Sequence, residues 1–444
     1  MQPYLFEFEN EQQTITENAF KDPSFASNKQ KPIHRWVPWI AGFSSSFVKK
    51  ILDDKLDTKS IVLDPFAGVG TTLVEAILAG HDAIGFEINP YAALACKVKL
   101  NSASIDLNLL RQCVSELESF YAQALKNNYI PKSVPPEGFR TRVPFFGPRI
   151  LHKVLIIQDF INNQQDPQIA ETLQIAFAAT MVSYSNYSYE PSLGTRKAVG
   201  KTDFEDYDVL GGLQKKLNEI IYDISMTKRL FKDVNAKVVN DSFFESARYI
   251  QNNSVDICIT SPPYLNNYHY IRNTRPQLYW LGFVKKPNDT KSLEQENFGK
   301  YWQTVRELDE VDLEFPNPPP ALVKQLAYLR TQKTEKGVYG GNGWANYAAS
   351  YFNDSFRFAT NLENALKRGS NAFVVIGNSI LQGTMIPTDN YLGEIAESAG
   401  LKLVDIHIPR PTRVGNSIIQ SNVRVKKADD EHQLYEAVVE LIKP

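Results

Sequence analysis

Residues 260–264 read Thr-Ser-Pro-Pro-Tyr and follow Val255-Asp-Ile-Cys-Ile259, which has the composition of a buried strand. Neither Pro262 nor Pro263 has a backbone N–H, so the pair ends the sheet ladder and fixes the direction of its carbonyls. Ser261 adds a small hydroxyl in front of the pair and Tyr264 a flat aromatic face behind it. Together they suit a planar base with an exocyclic amine: the hydroxyl and the Pro262 carbonyl accept from the amine, and the ring stacks.

A second segment, Ile61-Val-Leu-Asp-Pro-Phe-Ala-Gly-Val-Gly-Thr-Thr72, is an apolar strand, an acid and a glycine-rich turn that opens a helix. Gly68 and Gly70 let the chain turn and let a ligand approach the backbone. The helix from Thr71 presents free N–H groups. The pattern is not GxGxxG, and no lysine stands where a P-loop needs one. Asp64 instead puts a carboxylate where a cationic cofactor sits. The next strand ends in Glu87, at the distance that suits an acid binding a ribose diol. Plainer readings stand beside these: a strand–helix turn at Asp64, a surface acid at Glu87, a helix cap at Asp241, and a rigid loop with a packed tyrosine at 261–264.

The elements that must position these groups follow an alternating rhythm. The sequence predicts an irregular arm over 1–32, then an aromatic loop leading to a short helix capped near Ser44–Ser46. Strands are expected at 61–63 and 83–86, with helices from Thr71 to Ala79 and over 90–99. Helical spacing then takes over near 104–126, 149–162, 168–184 and 209–229. Strands resume at 236–240 and 255–259. A helix is expected near 346–367, strands at 371–376 and 401–408, and a last helix over 431–442. This gives an open α/β sheet with a large helical insertion, whose ligand site lies outside the carboxyl ends of the strands. The expected division is 1–103 for the arm and cofactor part, 104–230 for the insertion, 231–264 for the catalytic loop, 265–345 for a target-reading region, and 346–444 for the rest of the catalytic domain.

The chain has 444 residues, 43% hydrophobic and 22% charged, with a formal net charge of −2, which excludes a uniformly basic coat but not a local basic cleft. Its cysteines, Cys96, Cys113 and Cys258, are far apart and form no metal framework. No apolar run approaches the ~20 residues that span a bilayer. The expected location is cytoplasmic, with no membrane partner.

The Asp-Pro-Phe-x-Gly-x-Gly-Thr-Thr and Ser-Pro-Pro-Tyr pair resembles the amino-group DNA methyltransferases that act on cytosine N4 or adenine N6. The resemblance covers 33–99, 236–264 and, more weakly, 371–425. It implies a Rossmann-like class I methyltransferase fold, S-adenosyl-L-methionine as cofactor, double-stranded DNA as substrate, a flipped target base and, as a further partner, a cognate restriction endonuclease. By that resemblance Asp64 faces the methionine amino group, with Pro65, Phe66, Ala67, Gly68, Gly70, Thr71 and Thr72 around it. Glu87 holds the ribose hydroxyls, Asp241 lies by the adenine, Asn89 and Ser242 complete the cofactor-binding set, and the loop His34–Phe43 closes over the methionine end. Ser261, Pro262, Pro263 and Tyr264 form the catalytic loop. Ser in the first position is frequent for cytosine N4, whereas Asp or Asn is usual for adenine N6, so cytosine N4 is expected and adenine N6 is the alternative. An RNA base methyltransferase and a non-catalytic nucleic-acid binder are the more distant alternatives. Cytosine C5 chemistry is disfavoured, since it needs a cysteine normally placed after a proline and none here has one.

The long insertion departs from the compact family pattern and leaves two candidate regions for reading DNA. One carries Arg140, Arg142 and Arg149 with His152 and Lys153; the other carries Tyr268, Arg272 and Arg275 among further aromatics. Arg410, Arg413 and Arg424 form a third, weaker basic group.

Overall fold

Strand β1 (Ile61–Asp64) is built from apolar side chains that alternate between two buried faces: Val62 belongs to one core and Leu63 to the other. The same alternation runs through its neighbours. Ile257 and Ile259 face one side and Cys258 the other; Phe373 and Val375 face one side, Val374 and Ile376 the other. A sheet buried on both faces needs helices on both, and the chain supplies them.

The computed structural model describes residues 25–39, 42–189, 193–231, 233–265, 269–410 and 434–444. In chain order the remaining strands are β2 (Asp82–Phe86), β3 (Tyr187–Tyr189), β4 (Leu193–Thr195), β5 (Ala236–Val239), β6 (Val255–Thr260), β7 (Leu366–Gly377), β8 (Ser379–Leu381), β9 (Thr384–Ile386), β10 (Lys402–Arg410) and β11 (Glu436–Ile442). The helices are α1 (Ser45–Lys55), α2 (Thr71–Leu78), α3 (Pro90–Leu100), α4 (Leu107–Lys126), α5 (Pro148–Asn162), α6 (Pro167–Thr180), α7 (Val209–Thr227), α8 (Tyr270–Asn273), α9 (Arg275–Trp280), α10 (Pro287–Glu296), α11 (Trp302–Val305), α12 (Pro320–Thr331), α13 (Asn342–Ala365) and α14 (Thr388–Ser398). Among the described residues no helix is long and apolar enough to cross a membrane.

The main sheet has the order β10-β11-β7-β6-β1-β2-β5. β1 pairs in parallel with β2 and with β6, β2 with β5, and β6 with β7. β11 alone runs antiparallel, between β7 and β10. The strand order reverses at β1, whose next strand in sequence lies on one side and β6 on the other. The carboxyl ends of β1, β2, β5 and β6 therefore share one edge, where such sheets bind ligands. This is the Rossmann-like α/β arrangement expected of the sequence.

Helices α1, α2 and α3 cover one face, and their core continues without a break into α4, α5, α6 and α7. Asp106 and Asp166 cap α4 and α6 by accepting from the backbone of the first turn. Helices α13 and α14 cover the other face, joined by Phe298, Trp302, Phe315 and Leu326 from the segment before α13. The helices expected between 104 and 230 are present, and the hairpins β3–β4 and β8–β9 are additions. Of the helix expected over 431–442, the described part Glu436–Ile442 is a strand instead. Glu436-Ala-Val-Val-Glu-Leu-Ile442 is a short apolar run buried between β7 and β10, and two β-branched residues at its centre suit a central strand.

Candidate active site

The turn after β1 carries the first set of groups. Asp64 is fully buried, with Oδ1 accepting from the Thr260 hydroxyl at 2.6 Å and from the Phe66 amide at 3.1 Å. Its Oδ2 is buried with no partner among the described residues. Burial pushes the carboxyl up to about 6 against the hydrogen bonds that favour its charge. Gly68 and Gly70 take positive φ angles of 50° and 86°. A side chain at Gly70 would meet Cys96 Sγ at 2.6 Å, and one at Gly68 would press on the Trp39 indole at 3.3 Å. Lys99 reaches up from α3, buried, and donates to the Val69 carbonyl at 3.0 Å, tying the turn down from beneath; burial lowers its ammonium to about 7.

Glu87 follows β2 and accepts from the Asn89 amide at 2.7 Å. Asn89 caps α3 through its own side chain and also donates to the Thr274 hydroxyl at 2.8 Å. Burial, with the Asp64 charge adding to it, pushes the Glu87 carboxyl up to about 7. Asp241 follows β5 and accepts from the Tyr249 hydroxyl at 2.7 Å.

Trp39 lies over Gly68 and faces the Tyr270 ring, with 6.0 Å between centroids. The segment leading to it is anchored far from the sheet. Asp223, fully buried on α7, accepts from the Ile33 amide, the Arg35 guanidinium and the Trp36 indole at 2.9, 2.5 and 2.9 Å. His34, in the same segment, is buried against Glu75 at 2.7 Å.

These elements line a cleft that is partly open to solvent. Of the residues expected at the site, Pro65, Phe66, Ala67, Gly68, Thr71, Glu87, Asn89, Asp241, Ser242, Ser261 and Pro263 line it. Asp64, Gly70, Thr72, Pro262 and Tyr264 stand behind that lining. Thr72 donates to the Ile259 carbonyl at 3.1 Å and so joins the glycine turn to β6. Phe243, Phe244, Glu296, Asn297 and Phe298 also line the cleft and were not foreseen, and so does Tyr270, one of the aromatics of the expected target-reading region. Phe298 packs on Phe66 at 5.2 Å from a chain position more than two hundred residues away, and no local pattern marks it.

The loop after β6 is held at several points. The Tyr351 hydroxyl donates to the Pro263 carbonyl at 3.0 Å, and the Ser379 hydroxyl donates to the Leu265 carbonyl. The Tyr264 hydroxyl donates to Glu436 Oε1 at 3.3 Å, and its ring packs on the core beneath α13.

The basic candidates are scattered. Arg140, Arg142 and Arg149 are exposed. Arg275 is committed within the fold: it donates to the Arg140 carbonyl at 3.2 Å and lies 5.7 Å from the ring centres of both Phe139 and Tyr279. Arg272 is exposed and borders a second, open basin together with Arg275, Lys291, Glu294 and Tyr301. Tyr268, Arg413 and Arg424, and the side chain of Arg410, lie outside the described residues.

The chemistry of the cleft fits a nucleoside with a cationic tail. Aromatic walls at Phe66, Phe86 and Phe243 suit a base, Glu87 and Asp241 supply acids, and the orphaned Asp64 oxygen awaits a donor. Comparison with known proteins agrees. Residues 5–97 match the DNA methylase family model of the N6/N4 class. The type II methyltransferase M.BsoBI of Geobacillus stearothermophilus is 23% identical over 433 residues, which cover 89% of this chain and 83% of that protein. M.AvaI of a Nostoc species, also a type II methyltransferase, is 25% identical over 441 residues, covering 91% and 86%. M.MvaI of Kocuria varians, a third, is 24% identical over 388 residues, covering 83% and 82%. The cofactor that goes with these residues is S-adenosylmethionine.

Proposed function

We propose that this chain, an S-adenosylmethionine-dependent DNA methyltransferase of the N4/N6 class, methylates the exocyclic N4 amine of a flipped cytosine at a specific duplex site. The observation that carries this reading is the meeting of two motifs. Ser261, at the end of β6, lines the same cleft as Gly68 and Glu87, at the ends of β1 and β2.

When bound, the cofactor would supply an electrophilic methyl group to the amine nitrogen, with its sulfur as the leaving group and one amine proton given up. The protein's task is to bind, orient and exclude water. In this reading Asp64 and Glu87 hold the cationic tail and the ribose, and Asp241 with Phe243 borders the adenine. Ser261 Oγ and the Pro262 carbonyl accept from the two amine hydrogens. Those bonds draw the nitrogen out of conjugation and free its lone pair. Among the described residues, nothing else donates to or accepts from either atom. Tyr264, whose ring packs on the core and whose hydroxyl donates to Glu436, helps to hold the loop in place rather than facing the cleft.

The preference for cytosine rests on Ser261 in the position where an adenine enzyme of the family more often has Asp or Asn. A partner endonuclease of the same recognition sequence belongs to this reading; DNA methylated by this chain would resist it. The deciding experiment is nucleoside mass spectrometry of duplex DNA incubated with the enzyme and cofactor. N4-methylcytosine as the main product is expected. A product that is mainly N6-methyladenine overturns the base choice and leaves the methyltransferase standing.

A further inference from the structure

The Pro-Pro pair that shapes the catalytic loop also deprives it of anchors. With no N–H at Pro262 or Pro263, the loop can be held there only through its carbonyls. Tyr351, which is 2% exposed in the middle of α13, takes one of them: its hydroxyl donates to the Pro263 carbonyl at 3.0 Å. We propose that Tyr351 is a positioning residue for methyl transfer, setting the rotation of the loop so that Ser261 Oγ and the Pro262 carbonyl are presented to the target amine. The proposal rests on the reading of the loop as the amine-binding element.

Tyr351 also touches the opposite wall of the cleft. The Phe298 ring packs edge-on against it, with 5.1 Å between centroids, and a side chain at Gly299 would meet Tyr351 Cδ2 at 2.5 Å. Asp354, one turn further along α13, accepts from the Gly299 amide at 2.9 Å. One helix therefore fixes both the catalytic loop and the Glu296–Phe298 wall, and Tyr351 stands at their junction. The Pro263 carbonyl is engaged by Tyr351 and the Leu265 carbonyl by Ser379, while Ser261 lines the cleft. Misplacement of a reacting group by about an ångström can cost on the order of a hundredfold in rate, so a single hydroxyl in this position has leverage.

Tyr351→Phe keeps the ring and its packing and removes only the donor. The parental enzyme and the variant are compared on duplex DNA with S-adenosylmethionine. The readouts are single-turnover rate, cofactor and DNA affinity, melting temperature, and the fluorescence of 2-aminopurine at the target position. The expected result is a rate lowered about tenfold or more, with both affinities, the melting temperature and the flipping signal close to parental. Ser379→Ala, which frees the Leu265 carbonyl at the other end of the loop, is expected to give the same split. A Tyr351→Phe enzyme that turns over at the parental rate overturns the proposal. So does a rate loss matched by an equal loss of cofactor affinity or by thermal destabilisation, which marks a purely structural tyrosine. A parental enzyme that methylates no exocyclic amine overturns the underlying reading instead, and the two failures are thereby separate.

Discussion

The hydroxyl of Thr260, the last residue of β6, lies 2.6 Å from the carboxylate of Asp64, the last residue of β1. Cofactor turn and catalytic loop are thus joined at their roots, by a bond that favours the charged form of a carboxyl that burial opposes. Thr260→Val keeps the shape and removes the donor. Its expected effect is a further rise in the Asp64 pKa and a loss of roughly 1.5–3 kcal/mol in cofactor binding, as for a hydrogen bond to a charged group. Titration calorimetry checks this. Unchanged affinity would mean that Asp64 does not face the cofactor.

The pH dependence of cofactor binding follows from the same groups. Asp64 and Glu87 titrate near 6 and near 7 in the folded protein, both raised by burial. A raised carboxyl holds its proton longer in the folded state than in the unfolded one. Its contribution to stability is therefore largest at low pH and declines as pH rises through the folded value. A cationic ligand prefers the ionised form, so its affinity changes in the opposite sense. Cofactor affinity is expected to fall as pH drops from about 8 to about 5.5, approaching tenfold per unit for each coupled proton, with protons released on binding near pH 6–7. Calorimetry in buffers of different ionisation enthalpy counts those protons. A flat profile with no release refutes the assignment of both acids.

Asp223 is expected to matter for stability and, through Trp39, for cofactor affinity. Asp223→Ala leaves the Ile33 amide and the Trp36 indole buried without their acceptor. Leaving a buried donor without its acceptor costs about 1–3 kcal/mol for each group. Urea unfolding of the variant measures this; a loss under ~1 kcal/mol would show that the segment holds its place by packing alone.

Arg140, Arg142 and Arg149 are expected to bind DNA phosphates. Each arginine that neutralises a phosphate steepens the dependence of log affinity on log salt by about 0.9. The triple Ala variant should therefore show a flatter dependence, measured by titrating duplex DNA at several salt concentrations. A parental slope would move phosphate binding to the Arg272 side of the cleft.

Much of the sheet and its first helices was legible because their signals are local. Asp64, Gly68 and Gly70 mark the β1 turn, Asn89-Pro90 marks the start of α3, and Ser44 the start of α1. The last strand was not legible. Glu436–Ile442 is a short apolar run with no periodicity to separate strand from helix, and only its place between β7 and β10 decides. The wall supplied by Phe298, the loop anchor at Tyr351 and the anchor at Asp223 arise from residues brought together across long stretches of chain. Nothing beside them in the sequence announces what they will touch. Arg275 lies 5.7 Å from the ring centres of Phe139 and Tyr279 and also borders the open basin beside Arg272, a placement that its sequence neighbours alone do not give.

The strand order also fixes a timetable. A ribosome releases α1 to α7 with β1 and β2 early, and these already share one apolar core. The strand on the other side of β1 from β2 arrives only with β6, because Thr260 follows Asp64 by 196 residues. At the other edge β10 has no strand to pair with until β11, at Glu436–Ile442, threads between it and β7. During translation the chain therefore carries unpaired strand edges until β11 emerges, and pairings of such long sequence separation form slowly. Expression of this protein should respond strongly to temperature and to chaperone supply, with slow synthesis favouring soluble chains, because the exposed edges are the surfaces that aggregate first.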